Sequence, residues 1–208
     1  MCGGRGTRLG GETEKPLTPV AGRPMVDRVC DALAGSRVET AHAVVSPRAS
    51  ATRAHLVDER PELPVIDAPG DGYVADLGYA IEEIARGESG TPPLLTVAAD
   101  LPLLDPEAVN AVIDAARTAV DDDRPASLTV CVPASRKREL GVSADAATEV
   151  DGREVVPAGI NVVGGSSESD SDDSVVHLTE DVRLAVNVNY PSDVQVAERL
   201  LGDGEPDE

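Results

Sequence analysis

The sequence predicts an α/β protein with a Rossmann-like, mostly parallel sheet that has helices on both faces. Short apolar segments alternate with amphipathic segments along the chain, which is typical of strands that alternate with helices. Hydrophobic residues make up 41% of the 208 residues, which is enough for one substantial aliphatic core. No run of about 18 apolar residues occurs, so we expect no membrane span.

Helices are predicted where apolar residues recur at spacings of three and four. The first has Val26, Val29 and Leu33 at this spacing, and Gly35 can end it. Pro106 and Pro191 each stand at the favoured first position of a helix. In chain order, the predicted helices are 25–34, 50–59, 74–86, a helix that begins at 106, and 191–201.

Strands are predicted from short runs of apolar residues. The run from Leu94 to Ala99 is the most continuous, and it ends at Asp100. In chain order, the predicted strands are 43–46, 64–67, 94–99, 128–132, 160–163 and 184–188. We expect one domain over residues 1–201, with a mobile low-complexity insertion over 164–174 and a disordered acidic tail over 202–208.

The charge is strongly negative. With 38 acidic and 18 basic residues, the formal net charge is −20, which argues against a nucleic-acid partner. The acidic surface has almost no lysine, which resembles proteins of salt-loving archaea, where salt screens such repulsion. The three cysteines are widely spaced and form no metal pattern, and no signal peptide is evident. We therefore expect a cytoplasmic, halophilic protein.

The glycine-rich opening over 3–11 is the most informative segment. Glycines let successive backbone N–H groups approach an anion, and the first 23 residues carry four basic and only two acidic side chains. We expect this segment to bind a polyphosphate; the alternative is an exposed, flexible amino terminus. It is not a Walker A loop, and it fits the dinucleotide fingerprint only loosely. The expected phosphate contacts are Gly3, Gly4, Arg5, Gly6, Thr7, Arg8 and Lys15.

Asp100 is the best candidate for a metal ligand. It directly follows the apolar strand at 94–99, and ligands bind at the carboxyl ends of strands in open α/β sheets. Mg²⁺ prefers one or two protein oxygens together with phosphates. The alternative is a turn residue, the role we expect for Asp105 before Pro106.

Several stretches resemble a known family. GGRGTRLGG over 3–11, followed by EKPL over 14–17, resembles the opening of nucleotidyltransferases with the nucleotide-diphospho-sugar transferase fold. GDGYVADL over 70–77 and VPAGINVV over 156–163 resemble the archaeal GTP:adenosylcobinamide-phosphate guanylyltransferases. The resemblance runs from Cys2 to about Leu201.

The resemblance implies transfer of GMP from GTP to adenosylcobinamide phosphate, a corrinoid phosphate, with release of pyrophosphate and a divalent cation such as Mg²⁺ as cofactor. The second pKa of a phosphate monoester is near 6, so the acceptor is largely a dianion and needs no general base. The enzyme must mainly align and neutralise two polyanions. Arg8, Lys15 and Asp100 are the residues expected to do so.

The resemblance also implies roles for later residues. Asn189 lies in NVNYPSD over 187–193, which is similar to the family's Asn-x-Asn-Thr-Pro-Glu-Asp motif; a metal ligand and a helix cap remain equally open. Asp67 and Gly72, with Gly70 and Asp76, are expected to form a base or ribose wall, although Asp76 alone is better explained as a helix N-terminal acid. Gly159 and Asn161 are expected near the acceptor, with a bend in a strand as the alternative.

The first strand is the departure from the family pattern. Only Met1 and Cys2 precede Gly3, so the strand expected before the glycine loop is truncated. Either the recorded start codon is too late, which we favour, or the domain lacks this central strand. Two rival functions remain: a molybdenum-cofactor or sugar-phosphate guanylyl- or cytidylyltransferase of the same fold, and a non-catalytic GTP-binding module. The sequence leaves the oligomeric state open, with a homodimer among the options.

Overall fold

The computed structural model of the protein describes residues 1–3, 7–10, 13–86, 93–119, 127–164 and 175–203. The helices are α1 Met25–Ala34, α2 Ser50–Glu59, α3 Tyr73–Ala85, α4 Pro106–Thr118, α5 Ala134–Leu140, α6 Val182–Ala185 and α7 Pro191–Gly202. The strands are β1 Pro19–Val20, β2 Arg23–Pro24, β3 Ala43–Val45, β4 Val65–Asp67, β5 Leu94–Val97, β6 Leu128–Pro133, β7 Thr148–Val150, β8 Arg153–Val163 and β9 Val175–Leu178.

The α/β fold class is confirmed, with a mixed sheet. β3 pairs with β4 in parallel, and a second sheet has the order β5–β8–β6–β9. β8 runs antiparallel to both β5 and β6, whereas β6 and β9 are parallel. β7 and β8 form an antiparallel hairpin, whose turn residues Asp151 and Gly152 have φ values of 50° and 73°. An Asp-Gly pair with positive φ is a favoured hairpin turn, so this pair reverses the chain between β7 and β8.

Met1 and Cys2, the residues before the glycine-rich opening, lie between β3 and β5. The Cys2 N–H donates to the Val44 carbonyl oxygen over 2.8 Å, and the Met1 amino group donates to the Val97 carbonyl oxygen over 2.8 Å. The Ala99 N–H donates back to the Met1 carbonyl oxygen over 3.3 Å. These bonds join the two sheets and bring the carboxyl ends of β3 and β5 beside the glycine-rich opening.

The core is aliphatic, as the composition predicts. Its largest cluster packs α1, α4 and α6 against one face of β5, β6 and β8, where Val109, Val130 and Ile160 are fully buried. A second cluster packs α1 and α2 against Cys2 and β3. None of the helices that the structure describes has the length and apolar character needed to cross a membrane.

The predicted late strand at 184–188 is wrong. Asp181 caps α6 by accepting a hydrogen bond from the Arg183 N–H, and the residues after α6 run in an irregular buried segment. A short apolar run does not by itself distinguish a buried strand from a buried helical turn.

The helices at 25–34 and 50–59 are confirmed with unchanged bounds, and the helix from Pro191 is confirmed as α7. The predicted insertion, apart from Gly164, and residues 204–208 of the predicted tail lie outside the described residues.

Candidate functional site

A cleft of about 300 Å³ opens at the carboxyl ends of β3 and β5. It is lined by Ala98, Ala99 and Asp100, which follow β5, and by Met1, Cys2 and Gly3. The loop before α3, Lys15 and Pro16 also line it. A cleft at strand carboxyl ends is where ligands bind in open α/β sheets.

Lys15, Asp100 and Asn189 meet at the end of this cleft. The Lys15 ammonium donates to Asp100 Oδ2 over 2.6 Å and to Asn189 Oδ1 over 2.8 Å. The three residues come from three distant segments: the short 3₁₀ turn Lys15–Leu17, the end of β5, and the segment before α7. The structure therefore brings together three of the residues that the sequence singled out.

Glu14 anchors the turn that carries Lys15. Its carboxylate accepts hydrogen bonds from the Ala51 and Thr52 N–H groups and from the Thr52 hydroxyl, at 2.7 to 3.0 Å, at the start of α2. Burial acts to raise the pKa of Glu14, but these hydrogen bonds outweigh it and lower the pKa below its ordinary value. A charged acceptor at a helix amino terminus is stabilised by the helix dipole, so Lys15 extends from a fixed point.

One oxygen of Asp100 has no partner within the part of the chain that the structure describes. Asp100 Oδ1 is buried and makes no hydrogen bond, while Oδ2 is bound by Lys15. A buried carboxylate oxygen left unpaired is costly, and a cation would satisfy it. In the same described ranges, no three acidic, histidine or cysteine residues cluster as metal ligands. The donor set therefore fits a hard cation held by one carboxylate, an amide oxygen and ligand phosphates.

Gly159 lies directly behind Asp100. Its φ is +79°, and a Cβ added to it would lie 2.9 Å from Asn187 Nδ2, 3.2 Å from Ala98 Cβ and 3.9 Å from Asp100 Oδ1. Gly159 therefore permits close packing behind the carboxylate and does not line the open cleft. Asn161, two residues further along β8, pairs with Thr96 of β5, and its buried Oδ1 makes no hydrogen bond among the described residues.

Gly159→Ala is expected to lower the free energy of unfolding by about 1–3 kcal/mol and to reduce turnover, because the methyl group adds backbone strain and displaces Asn187. Thermal unfolding and steady-state kinetics measure both effects. Gly152→Ala is the matched control, since its φ of +73° carries the same strain while no neighbouring atom of the described residues lies within 4 Å of the added Cβ. Equal turnover in the two variants would show that the contacts around Gly159 do not matter.

A smaller cleft of about 170 Å³ lies on the other side of Lys15. Thr7, Arg8, Lys15 and Asn189 line it, so Lys15 borders both clefts. The Arg8 guanidinium is 3.4 Å from Asp145 Oδ2 and lies 5.9 Å from the centre of the Tyr190 ring. The Tyr190 hydroxyl donates to the same Asp145 oxygen over 2.5 Å, and this bond raises the pKa of Tyr190. Gly4, Arg5 and Gly6 lie outside the described residues.

The loop before α3 is held by Asp76. Asp76 Oδ1 accepts hydrogen bonds from the Gly70 N–H over 2.8 Å and the Asp71 N–H over 3.2 Å, as expected for an acid in the first helical turn. Gly72 precedes α3 with a φ of +112° and, like Asp76, lines the larger cleft.

Asp67 does not line the larger cleft. Its carboxylate pairs with Arg53 at 2.6 and 2.9 Å, and this pairing lowers its pKa.

The sequence reasoning missed several residues around the site. Ser46, Arg48 and Tyr73 line the larger cleft, and no spacing pattern marks them. Lys137 lies fully buried behind the site, bonded to Asn187. The signal for Lys137 was compositional: the chain contains only two lysines, and the other one is Lys15.

Comparison with known proteins assigns the family. Residues 1–156 match the MobA-like NTP transferase domain. The adenosylcobinamide-phosphate guanylyltransferase of Methanocaldococcus jannaschii is 30% identical over 207 residues, covering 97% of this chain and 95% of that protein. A 2-C-methyl-D-erythritol 4-phosphate cytidylyltransferase of Frankia casuarinae is 33% identical over 142 residues, which is 66% of this chain and 48% of that enzyme.

A solved structure shows the same fold. CMP:2-keto-3-deoxy-manno-octonic acid synthetase, in complex with CTP, aligns with a TM-score of 0.56 over 92% of this chain and 93% of its own, at 14% identity. The family match and the Methanocaldococcus jannaschii relative confirm the resemblance to archaeal adenosylcobinamide-phosphate guanylyltransferases seen in the sequence. The chain belongs to the MobA-like NTP transferase family.

Proposed function

We propose that the protein transfers GMP from GTP to adenosylcobinamide phosphate, giving adenosylcobinamide-GDP and pyrophosphate. The observation that carries the proposal is the meeting of Lys15, Asp100 and Asn189, where one buried Asp100 oxygen has no partner among the described residues. The likeness to the Methanocaldococcus jannaschii guanylyltransferase over nearly the whole chain supports the choice of donor and acceptor.

The residues have distinct proposed roles in this reaction. An oxygen of the acceptor phosphate forms a bond to the α-phosphorus of GTP, and the bond from that phosphorus to the bridging oxygen breaks, so that pyrophosphate leaves with the electron pair. Lys15 is proposed to neutralise charge on the phosphates that react, and its position bordering both clefts supports this role. Arg8, with Gly3 to Thr7, is proposed to hold the phosphates that leave. The acceptor is already an anion, so the protein need only align and neutralise.

A divalent cation is proposed to bind at Asp100 and Asn189. Asp100 would supply its free carboxylate oxygen, and Asn189 its amide oxygen, which is bound to Lys15 in the present structure. We propose Mg²⁺ because one carboxylate plus phosphate oxygens suits that ion. When bound, the cation would neutralise charge that develops on the phosphates.

The loop at 69–72 is proposed to border the base and ribose of GTP. Gly72 and Asp76 line the cleft there, and Asp76 fixes the loop. Asp67 is left out of the proposed contacts because it pairs with Arg53 outside the cleft. Gly159 lies close to the Asp100 carboxylate on β8. Asn161, two residues further along that strand, is proposed to lie near the acceptor because its buried Oδ1 makes no hydrogen bond among the described residues. A cytoplasmic location is proposed from the widely spaced cysteines, and a salt-rich one from the net charge of −20. A homodimer stays a prediction.

Pyrophosphate release over a panel of nucleotides and acceptors tests the function. In Mg²⁺ and molar KCl, we expect turnover with GTP and adenosylcobinamide phosphate, and turnover lower by about a hundredfold or more with CTP or with molybdopterin or sugar-phosphate acceptors. High salt is needed because it screens the repulsion of the acidic surface. Faster turnover with a rival acceptor would replace the proposed substrate, and GTP binding without turnover of any acceptor would favour a binding module.

A further inference from the structure

Lys137 is a buried ammonium group that has no role in the reaction described above. It lies in α5 with 1% of its surface exposed, and its Nζ donates to the Ala185 carbonyl oxygen over 2.7 Å and to Asn187 Oδ1 over 3.1 Å. Burying an ammonium group is costly unless its hydrogen bonds are made with good geometry. The chain has only one other lysine, which is Lys15 of the candidate site.

Asn187 connects Lys137 to the backbone around Gly159 and Asp100. Its Nδ2 donates to the Ala158 carbonyl oxygen over 2.9 Å and lies 2.9 Å from where a Cβ on Gly159 would stand. The next residue, Val188, donates its N–H to the Asp100 carbonyl oxygen over 3.0 Å. Lys137 thus holds the Asn187 side chain, which lies beside Gly159, and the segment that contains Asn187 is bonded to the Asp100 backbone.

The other end of this segment is fixed by Asp193. Asp193 is fully buried, and its Oδ2 accepts hydrogen bonds from the Asn189 and Tyr190 N–H groups over 2.8 and 2.9 Å. Burial lowers the pKa of Lys137, while the carboxylates of Asp193 and Asp100 act in the opposite direction. The segment that carries Asn189 is therefore held from behind by one cationic and one anionic side chain.

We propose that Lys137 is a positioning residue for nucleotidyl transfer: it fixes Asn187, and through Asn187 it sets the placement of Asn189 and Gly159 around Asp100. The proposal deepens the proposed function and rests on it for the identity of the reaction. Lys137 touches neither of the clefts, so it acts through Asn187 and contacts no substrate. Groups that orient metal ligands typically contribute about 10- to 100-fold to metal affinity or activity.

The test uses Lys137→Met, which keeps much of the side-chain volume and removes the ammonium, together with Asn187→Ala and the double variant. We expect Lys137→Met to lower kcat about 10- to 100-fold with the KM for GTP changed less than about threefold. Because Lys137 acts through Asn187, the double variant should lose no more than the worse single variant. Val109→Ala, a fully buried core change in α4, is the control for lost stability alone and should keep wild-type kcat.

A binding measurement separates this proposal from the proposed function. Mn²⁺ should tighten the binding of a fluorescent GTP analogue to the wild-type protein, and Lys137→Met should reduce that tightening about tenfold. This readout needs no acceptor, so it holds even if the acceptor is not adenosylcobinamide phosphate. Should Lys137→Met fail to fold, Asn187→Ala decides, since it breaks the same link from the other side. Wild-type kcat and wild-type Mn²⁺ coupling in a folded variant, or no coupling in the wild-type protein, would overturn the proposal.

Discussion

Asp100→Asn is expected to lower kcat by about a thousandfold or more while the protein stays folded. This corresponds to about 4 kcal/mol of transition-state stabilisation, the scale expected when a site loses its cation. The variant keeps the shape of the side chain and an acceptor for Lys15, but it removes the negative charge and replaces one of two oxygens. The unpaired Oδ1 of Asp100 is the reason to expect such a loss, since nothing in the described part of the chain uses it.

Steady-state kinetics at saturating GTP and acceptor, with circular dichroism as the check on folding, measure the effect. Asp114→Asn is the matched control because Asp114 is 60% exposed and pairs with Arg37 on the surface. It should change kcat by less than about twofold, since surface ion pairs contribute little. Turnover within about tenfold of wild type in Asp100→Asn would remove Asp100 from the proposed chemistry.

Lys15→Met is expected to lower kcat/KM by about a hundredfold to a thousandfold. Removing one preorganised donor to a developing anion costs about 2.7–4 kcal/mol in other enzymes. Lys15 is also the group that joins Asp100 and Asn189, so its loss leaves the two acceptor oxygens facing each other without a cation. Lys15→Arg should recover little activity, because a planar guanidinium does not reproduce the contacts of a compact ammonium.

Pyrophosphate release over a range of GTP concentrations separates the effects on kcat and KM for the two Lys15 variants. Arg86→Met serves as the control, as Arg86 is 69% exposed and pairs only with Glu83 among the described residues. If Lys15→Met raised the KM for GTP and left kcat unchanged, Lys15 would contribute binding but no transition-state stabilisation. If Lys15→Arg were fully active, a positive charge alone would be sufficient.

The sequence predicted the helices better than the last strand. α1 has the predicted bounds because its apolar residues recur with a period of 3.6 residues, a local signal that packing reinforced. α2 also has the predicted bounds, although it buries only Thr52 and Leu56. The run at 184–188 has no such period, and its conformation depends on the Asp181 cap and on the bond from Val188 to Asp100. α5 was not predicted because it has no apolar stripe. Its central side chain, Lys137, is buried through tertiary contacts that the local sequence does not show.

The sequence by itself determined the aliphatic α/β core, the glycine-rich opening and the candidates Lys15, Asp100 and Asn189, because each depends on neighbours in the chain. Only the tertiary structure decided that these three side chains meet, since residues 85 and 174 positions apart make the two bonds of Lys15. It also placed Asp67 against Arg53 and turned β8 antiparallel. The physical reason is that hydrogen bonds and burial at this site join segments whose separation in sequence carries no local pattern.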